Sequence, residues 1–387
     1  MTPVAAEDLA VDRELASIGE SFRLLVDLTP TNVEEEKKAF LASPAGSPHF
    51  VYRDLEDLPE VIGARLGKVD VAPVKDPILA HLFGAKRREL SLQLEMLSAR
   101  DSSDFLSLST ELYGSVPPLL EQQARQILSQ VAASRTRGRR LGAEAFARKA
   151  TAEIDHYRTL NADLVVRIEI RDDISGIMVA NGDLLVAITA KVEPSRLVGV
   201  LAHEIGTHVL TYFNGSRQPL KLLAAGLAGY EETQEGLALI AEALVGGLTN
   251  ERLRQVAARV VAVHRLIHGA SFTETHSELV HDFDYTPGAA FNIVMRVYRG
   301  GGLTKDAIYL RGLQALVEYL AGGKTLTPLW LGKLPLVDLA LLEDLAAKEV
   351  LHAPALLPLF FEDPLAQERL LNVASNVGLH TLIGAQV

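Results

Sequence analysis

His203-Glu204-Ile205-Gly206-Thr207-His208 places two histidines five residues apart, with a glutamate beside the first. When two such histidines lie four apart on a helix they share a face, bind zinc and leave the adjacent glutamate to work on a water. Five residues of regular α-helix turn about 500° and leave the imidazoles roughly 140° apart, whereas a local π-type turn narrows that angle to roughly 50°. The spacing therefore predicts a bulge, and Gly206 lies inside the interval that must distort. A catalytic zinc keeps three protein ligands and one open position. The sequence contains no cysteine, which excludes thiolate metal sites, thiol nucleophiles and disulfides, so the third ligand should be acidic. Between Gly229 and Ala238 the chain offers Glu231, Glu232 and Glu235. Glu235 is the first choice and Glu231 its nearest rival. The two are four residues apart and can share a helical face, one ligating metal and the other orienting a ligating histidine. His264 with His268, and His276 with His281, lack a comparable adjacent glutamate and read as core or surface residues.

These residues need elements to position them. In residues 162–191 β-branched side chains recur and Asn181-Gly182 divides two apolar runs, the signal of a hairpin with a two-residue turn. Pro194 and Ser195 then introduce RLVGVLAHEIGTHVLTYF, with Ser195 a candidate cap and Asn214-Gly215 a candidate stop. An open hairpin edge beside this helix would be able to pair with an extended peptide. The first 160 residues look mainly helical, and the pattern after the histidine helix is helical again, with Gly- and Pro-containing breaks. No repeat or low-complexity linker divides the chain. The expectation is an α+β fold with a small antiparallel or mixed sheet and extensive helical additions, in which a helical region 1–160 and a metal-binding region 161–387 form one compact unit.

The chain has 387 residues, enough for one large domain or two ordinary ones, with 49 acidic against 38 basic side chains and a net charge of −11. That balance opposes a general role in nucleic-acid binding. Arg135, Arg137, Arg139 and Arg140 form a local basic patch that reads as a solvated surface. The N-terminus carries acidic residues where a secretory signal needs basic ones, and no apolar run reaches the roughly 20 residues of a membrane span. A cytoplasmic protein without membrane insertion is expected.

HEIGTH, followed by FNGSRQP and TQEGLALIAE, closely resembles the family of flavohaemoglobin expression-modulating QEGLA-motif proteins, whose animal relatives include the microtubule-associated tyrosine carboxypeptidases. FVYRDL, the segment from KRRELSLQLEML to STELYG, and RVYRGGGLTKDAIYL fit the same pattern, so the resemblance runs from about His49 to Leu320. It implies a zincin-like metallopeptidase fold in which His203 and His208 match the zinc-binding histidines, Glu235 the third ligand and Glu204 the catalytic glutamate. The animal relatives release a C-terminal tyrosine from tubulin. The corresponding expectation is a zinc carboxypeptidase acting on a peptide or protein C-terminal tail and favouring a terminal tyrosine or other aromatic residue.

In that chemistry zinc acidifies a water and polarises the scissile carbonyl, while Glu204 accepts the water proton and passes it to the leaving amine. Tyr298 and Tyr309 are candidate oxyanion donors. Arg296 and Arg299 are candidates to read a terminal carboxylate through a guanidinium fork, and Lys305 offers charge without that geometry. Gly300, Gly301 and Gly302 would let their loop approach substrate, although no P-loop pattern accompanies them. The competing reading is a non-catalytic regulatory or scaffold protein that retains a metal site.

Overall fold

Proline starts many of the helices. Pro59, Pro77, Pro118, Pro287 and Pro364 each occupy a first helical position, where the missing N–H is not needed and the fixed φ already suits the helix. In the long helix Pro77–Ser98, the Asp76 carboxylate caps the start by accepting from Ile78 and Leu79 N–H. Its buried residues Ile78, Leu79, Leu82, Phe83, Leu90, Leu94 and Leu97 form a stripe at helical spacing. The computed structural model describes residues 4–44, 46–55, 58–133, 140–375 and 379–383. It is mostly helical with two small sheets, the expected α+β class.

One sheet pairs β1 (Leu141–Gly142) antiparallel with β5 (Lys191–Val192). The other consists of β2 (Ile168–Arg171), β3 (Ile177–Ala180) and β4 (Asp183–Ala187), with β4 in the middle, parallel to β2 and antiparallel to β3. Asn181 and Gly182 both have positive φ, 50° and 83°, and join Ala180 to its partner Asp183. This is the tight turn that the Asn-Gly pair favours. Leu184 and Val186 alternate into the core from the central strand, and β3 is left as an edge.

The helix after β5 is a composite. A 3₁₀ turn Pro194–Arg196 leads into α-helix Leu197–Leu201, a π-helix Ala202–Val209, and α-helix Leu210–Ser216. The bulge implied by the five-residue histidine spacing is present. Ser195 is not the cap: it sits inside the 3₁₀ turn, and its side chain makes no capping bond. The helix does stop at Asn214-Gly215 to within a residue: it ends at Ser216, and the Asn214 and Gly215 carbonyls accept the closing bonds from Arg217 and Gln218 N–H. The buried Asn214 amide donates to Leu356 O and accepts from Ala355 and Leu356 N–H. A Cβ on Gly215 would lie 2.1 Å from the Leu223 carbonyl oxygen, so this glycine also permits close backbone packing.

The main hydrophobic core takes buried side chains from Leu15 to Leu382, among them Phe83, Phe146 and Tyr157 from the first 160 residues and Leu210, Ile240, Val260 and Trp330 from the rest. A smaller cluster joins Leu24, Leu28, Met96 and Phe105 to Leu303 and Ile308, directly behind the glycine run.

Candidate metal centre

The π-helix brings His203 and His208 to one side, with ring centroids 5.0 Å apart. Opposite them, helix Tyr230–Leu244 presents Glu235. Its Oε2 lies 3.6 Å from His203 Nε2 and 4.0 Å from His208 Nε2. One ligand atom from each residue lies within 4.8 Å of the others, and no other such group of three occurs among the described residues. Glu235 Oε2 is buried and has no hydrogen-bond partner. A buried carboxylate oxygen without a donor is costly, and a cation held between it and the two Nε2 atoms would remove that cost.

The opposite ring nitrogens are already committed. His203 Nδ1 is 2.9 Å from Glu242 Oε1, and His208 Nδ1 is 3.1 Å from Gln234 Oε1. These acceptors call for a proton on each Nδ1 and so leave each Nε2 as the atom that could ligate a metal. Glu242 is itself held by Arg252 Nε at 3.2 Å and Arg196 Nη2 at 3.0 Å. Gln234 donates to Thr211 Oγ1 at 2.9 Å. The orienting partners are thus Glu242 and Gln234, and Glu231 does not take that part: its carboxylate pairs with Lys305 Nζ at 3.2 Å. Glu242 was legible in principle, since it lies seven residues, or two turns, beyond Glu235 in TQEGLALIAE and therefore on the same helix face.

Burial opposes charge on His203, but Glu235 and Glu242 outweigh it and hold the imidazole up at about 9. His208 is driven down to about 4 by burial, with the charge of His203 adding to it. Burial raises Glu204 to about 7. Burial would also raise Glu235, yet His203, His208 and Lys305 together keep it well below the usual carboxylate range.

The three residues and Glu204 line a cleft of about 280 Å³, which also takes Ile177, Met178 and Val179 of the edge strand β3. Arg296, Arg299, Lys305 and Tyr309 line it as well. Arg296 has its guanidinium fork closed on Asp306, at 2.7 and 2.9 Å. Arg299 donates from Nη1 to Thr29 Oγ1, while its Nε is buried without a partner. Tyr309 stands among Arg252, Arg259 and Lys305. Tyr298 is placed elsewhere: its hydroxyl donates to Ala270 O and shares a bond with Thr275, and it is absent from the cleft lining. Residues that the sequence did not single out also face the cleft, among them Arg53 and Lys333.

Among the described residues, no third possible ligand joins the remaining histidine pairs. His264 and His268 stack at 4.1 Å, and His276 bonds Pro287 O beside Phe40. Arg140 of the basic patch pairs with Glu193, and Arg135, Arg137 and Arg139 lie outside the described residues. Among the described residues no helix is long and apolar enough to cross a membrane.

Residues 38–378 match the family model described as microtubule-associated tyrosine carboxypeptidase. The chain belongs to that family. A curated relative, microtubule-associated tyrosine carboxypeptidase 1 of Mus musculus, is 31% identical over 134 residues, covering 32% of this chain and 28% of the mouse protein. The aligned part is thus less than a third of that relative's length. A solved structure of a proposed lipoprotein from Colwellia psychrerythraea gives a TM-score of 0.41 at 14% identity, covering 81% of this chain and 66% of the other. That likeness is too distant to bear on fold or function.

Proposed function

We propose that this family member is a zinc-dependent carboxypeptidase that removes a C-terminal residue from a peptide or protein tail. The observation that carries the reading is the convergence of His203, His208 and Glu235, whose buried Oε2 accepts no hydrogen bond, beside a buried Glu204, in a cleft bordered by a strand edge. Two imidazoles and a carboxylate are a donor set that suits zinc in an open catalytic site. His203, His208 and Glu235 would hold the ion, which when bound supplies Lewis acidity and lowers the pKa of a water.

The remaining steps belong to the chain. Glu204, near pH 7 in its proton affinity, can take a proton from water and deliver it to the departing amine. Tyr309 is raised by burial and by the charge of Glu235, so its phenol keeps its proton and can donate to a developing oxyanion. Arg299 is the better reader of a terminal carboxylate, because its Nε lacks a partner whereas the fork of Arg296 is spent on Asp306. Burial, with repulsion from Arg296 added, lowers Arg299 to about 10, and an incoming carboxylate would relieve both. The free edge of β3 can bond the backbone of an extended tail running past the metal ligands. The name of the family and of the mouse relative supports tyrosine as the residue released.

Metal analysis, coupled to mass spectrometry on peptides of varied C-terminal residue, tests the proposal with Glu204→Gln as comparison. The expected outcome is one zinc per chain in both proteins and loss of single C-terminal residues only with the parent. Zinc retained with no hydrolysis by the parent, on peptides and on tubulin alike, favours the scaffold reading instead.

A further inference from the structure

A π-helix embedded in α-helix must lose one rung of the hydrogen-bond ladder where the spacing returns to four. Here Leu210 N–H reaches Ile205 O, five residues back, and also approaches Thr207 O. The carbonyl four residues back, that of Gly206, is passed over. A buried carbonyl left without a donor costs the desolvation of a polar group. Gly206 O accepts instead from Trp330 Nε1 at 2.9 Å, across 124 residues of sequence.

Trp330 is fully buried, and its indole N–H is a donor with no acceptor function. The ring is wedged edge-on against Phe361 at 5.2 Å and Phe360 at 6.2 Å. The segment that follows is anchored by Lys333 N–H to Leu223 O and by Leu227 N–H to Lys333 O. The donor therefore arrives at a fixed place. A second side chain acts on the same stretch, as Thr207 Oγ1 donates five residues back to Ala202 O at 3.2 Å.

We propose that Trp330 is a positioning residue for the metal centre: by taking the carbonyl that the π-turn passes over, its N–H fixes the five-residue register that puts His203 and His208 on one side. The link from this register to metal binding rests on the ligand set proposed above; the register itself does not.

Trp330→Phe keeps a ring and removes the N–H, while Phe361→Leu loosens the same packing without touching the bond. In the metal-free proteins, amide hydrogen exchange in residues 202–211 should be at least tenfold faster in Trp330→Phe than in Phe361→Leu. Zinc affinity, read by competition with a chromophoric chelator, should fall about tenfold or more in the first variant only. Equal exchange of this segment in the two variants overturns the proposal. A parent that takes up no zinc overturns the ligand set, and the exchange comparison still decides the role of Trp330. Trp330 is the single tryptophan of the chain, so the parent's one indole N–H resonance gives a check without mutation. Slow exchange of that proton with water is expected, and fast exchange overturns the assignment.

Discussion

His203 and His208 sit side by side but hold protons very differently, and the groups behind them explain why. His203 is backed by the Glu242 carboxylate and His208 by the neutral Gln234 amide. At neutral pH the metal-free His203, at about 9, is protonated, and His208, at about 4, is not. Zinc bound as proposed would displace close to one proton from His203, so affinity should rise about tenfold per pH unit between 7 and 9 and level off above that. Calorimetry at pH 7.5 in buffers of different ionisation enthalpy measures that proton, and a release of zero contradicts the assignment. The same group sets a stability trend. Folding raises His203 above its ordinary 6.5 and Glu204 above its ordinary 4.5, so both retain protons that the unfolded chain has released. Their contribution to metal-free stability declines as pH climbs from about 4.5 through 9, while that of the depressed Glu235 is lost as pH falls below 4.5. Glu242→Gln tests the orienting role directly. The neutral amide leaves Arg196 and Arg252 without their shared anion, at a cost of about 3 kcal/mol. It also weakens the hold on His203, and zinc affinity should drop about 10- to 100-fold. Chelator competition and thermal melting read the two effects separately.

Helix backbones meet at glycine where the centre is assembled. A Cβ on Gly236 would lie 2.3 Å from the Gly312 carbonyl carbon, and one on Gly312 would lie 2.0 Å from Glu232 O. Helices Tyr230–Leu244 and Ile308–Ala321 thus cross in backbone contact one residue after Glu235. Gly199 and Gly247 make a similar approach at the start of the histidine helix, where a Cβ on Gly199 would lie 2.8 Å from Gly247 O. Gly312→Ala forces the crossing apart, and a loss of about 3 kcal/mol or more follows from overpacking against rigid backbone. Gly206→Ala gives the contrast, since its Cβ would meet Phe360 at 3.6 Å, an ordinary contact, and should melt within a few degrees of the parent. Comparable melting of the two variants would contradict the crossing as the determinant. The π-turn was legible because helical geometry alone forces it from a five-residue spacing, and the hairpin because Asn181-Gly182 suits one turn. The Gly236–Gly312 crossing and the Trp330 bond were not legible, since each depends on a partner 76 or 124 residues away. Asn214-Gly215 was legible as a stop, since the helix ends at Ser216, but its contacts to Leu223 and to residues 355–356 were not, for the same reason of distance along the chain.

All three proposed ligands and Glu204 fall within residues 161–387, yet the cleft does not. Leu25, Val26, Thr29 and Arg53 of the N-terminal region line it. Arg299, the proposed carboxylate reader, is held by Thr29, and the Gly300 N–H donates to the Tyr52 hydroxyl. Asp12 accepts from the N–H groups of Lys221 and Leu222, which orders the start of the short helix Leu222–Ala225 just before the Glu235 helix. Tyr157, buried from the same region, accepts Leu359 N–H beneath the aromatic group that encloses Trp330. The N-terminal helices therefore complete both the substrate side of the cleft and the support behind the histidines. A fragment of residues 161–387 would keep every proposed ligand while exposing much of the apolar surface that Phe83, Phe146 and Tyr157 now cover. That fragment should show no cooperative thermal transition and no tight zinc binding, whereas supplying residues 1–160 as a separate chain should restore both to the extent that the two associate. Circular dichroism melting and chelator competition on the fragment, alone and with its complement, make the measurement. A fragment that melts cooperatively and binds zinc as the whole chain does would mean that the metal centre is built by its own half of the sequence, and that the N-terminal helices act only on what enters the cleft.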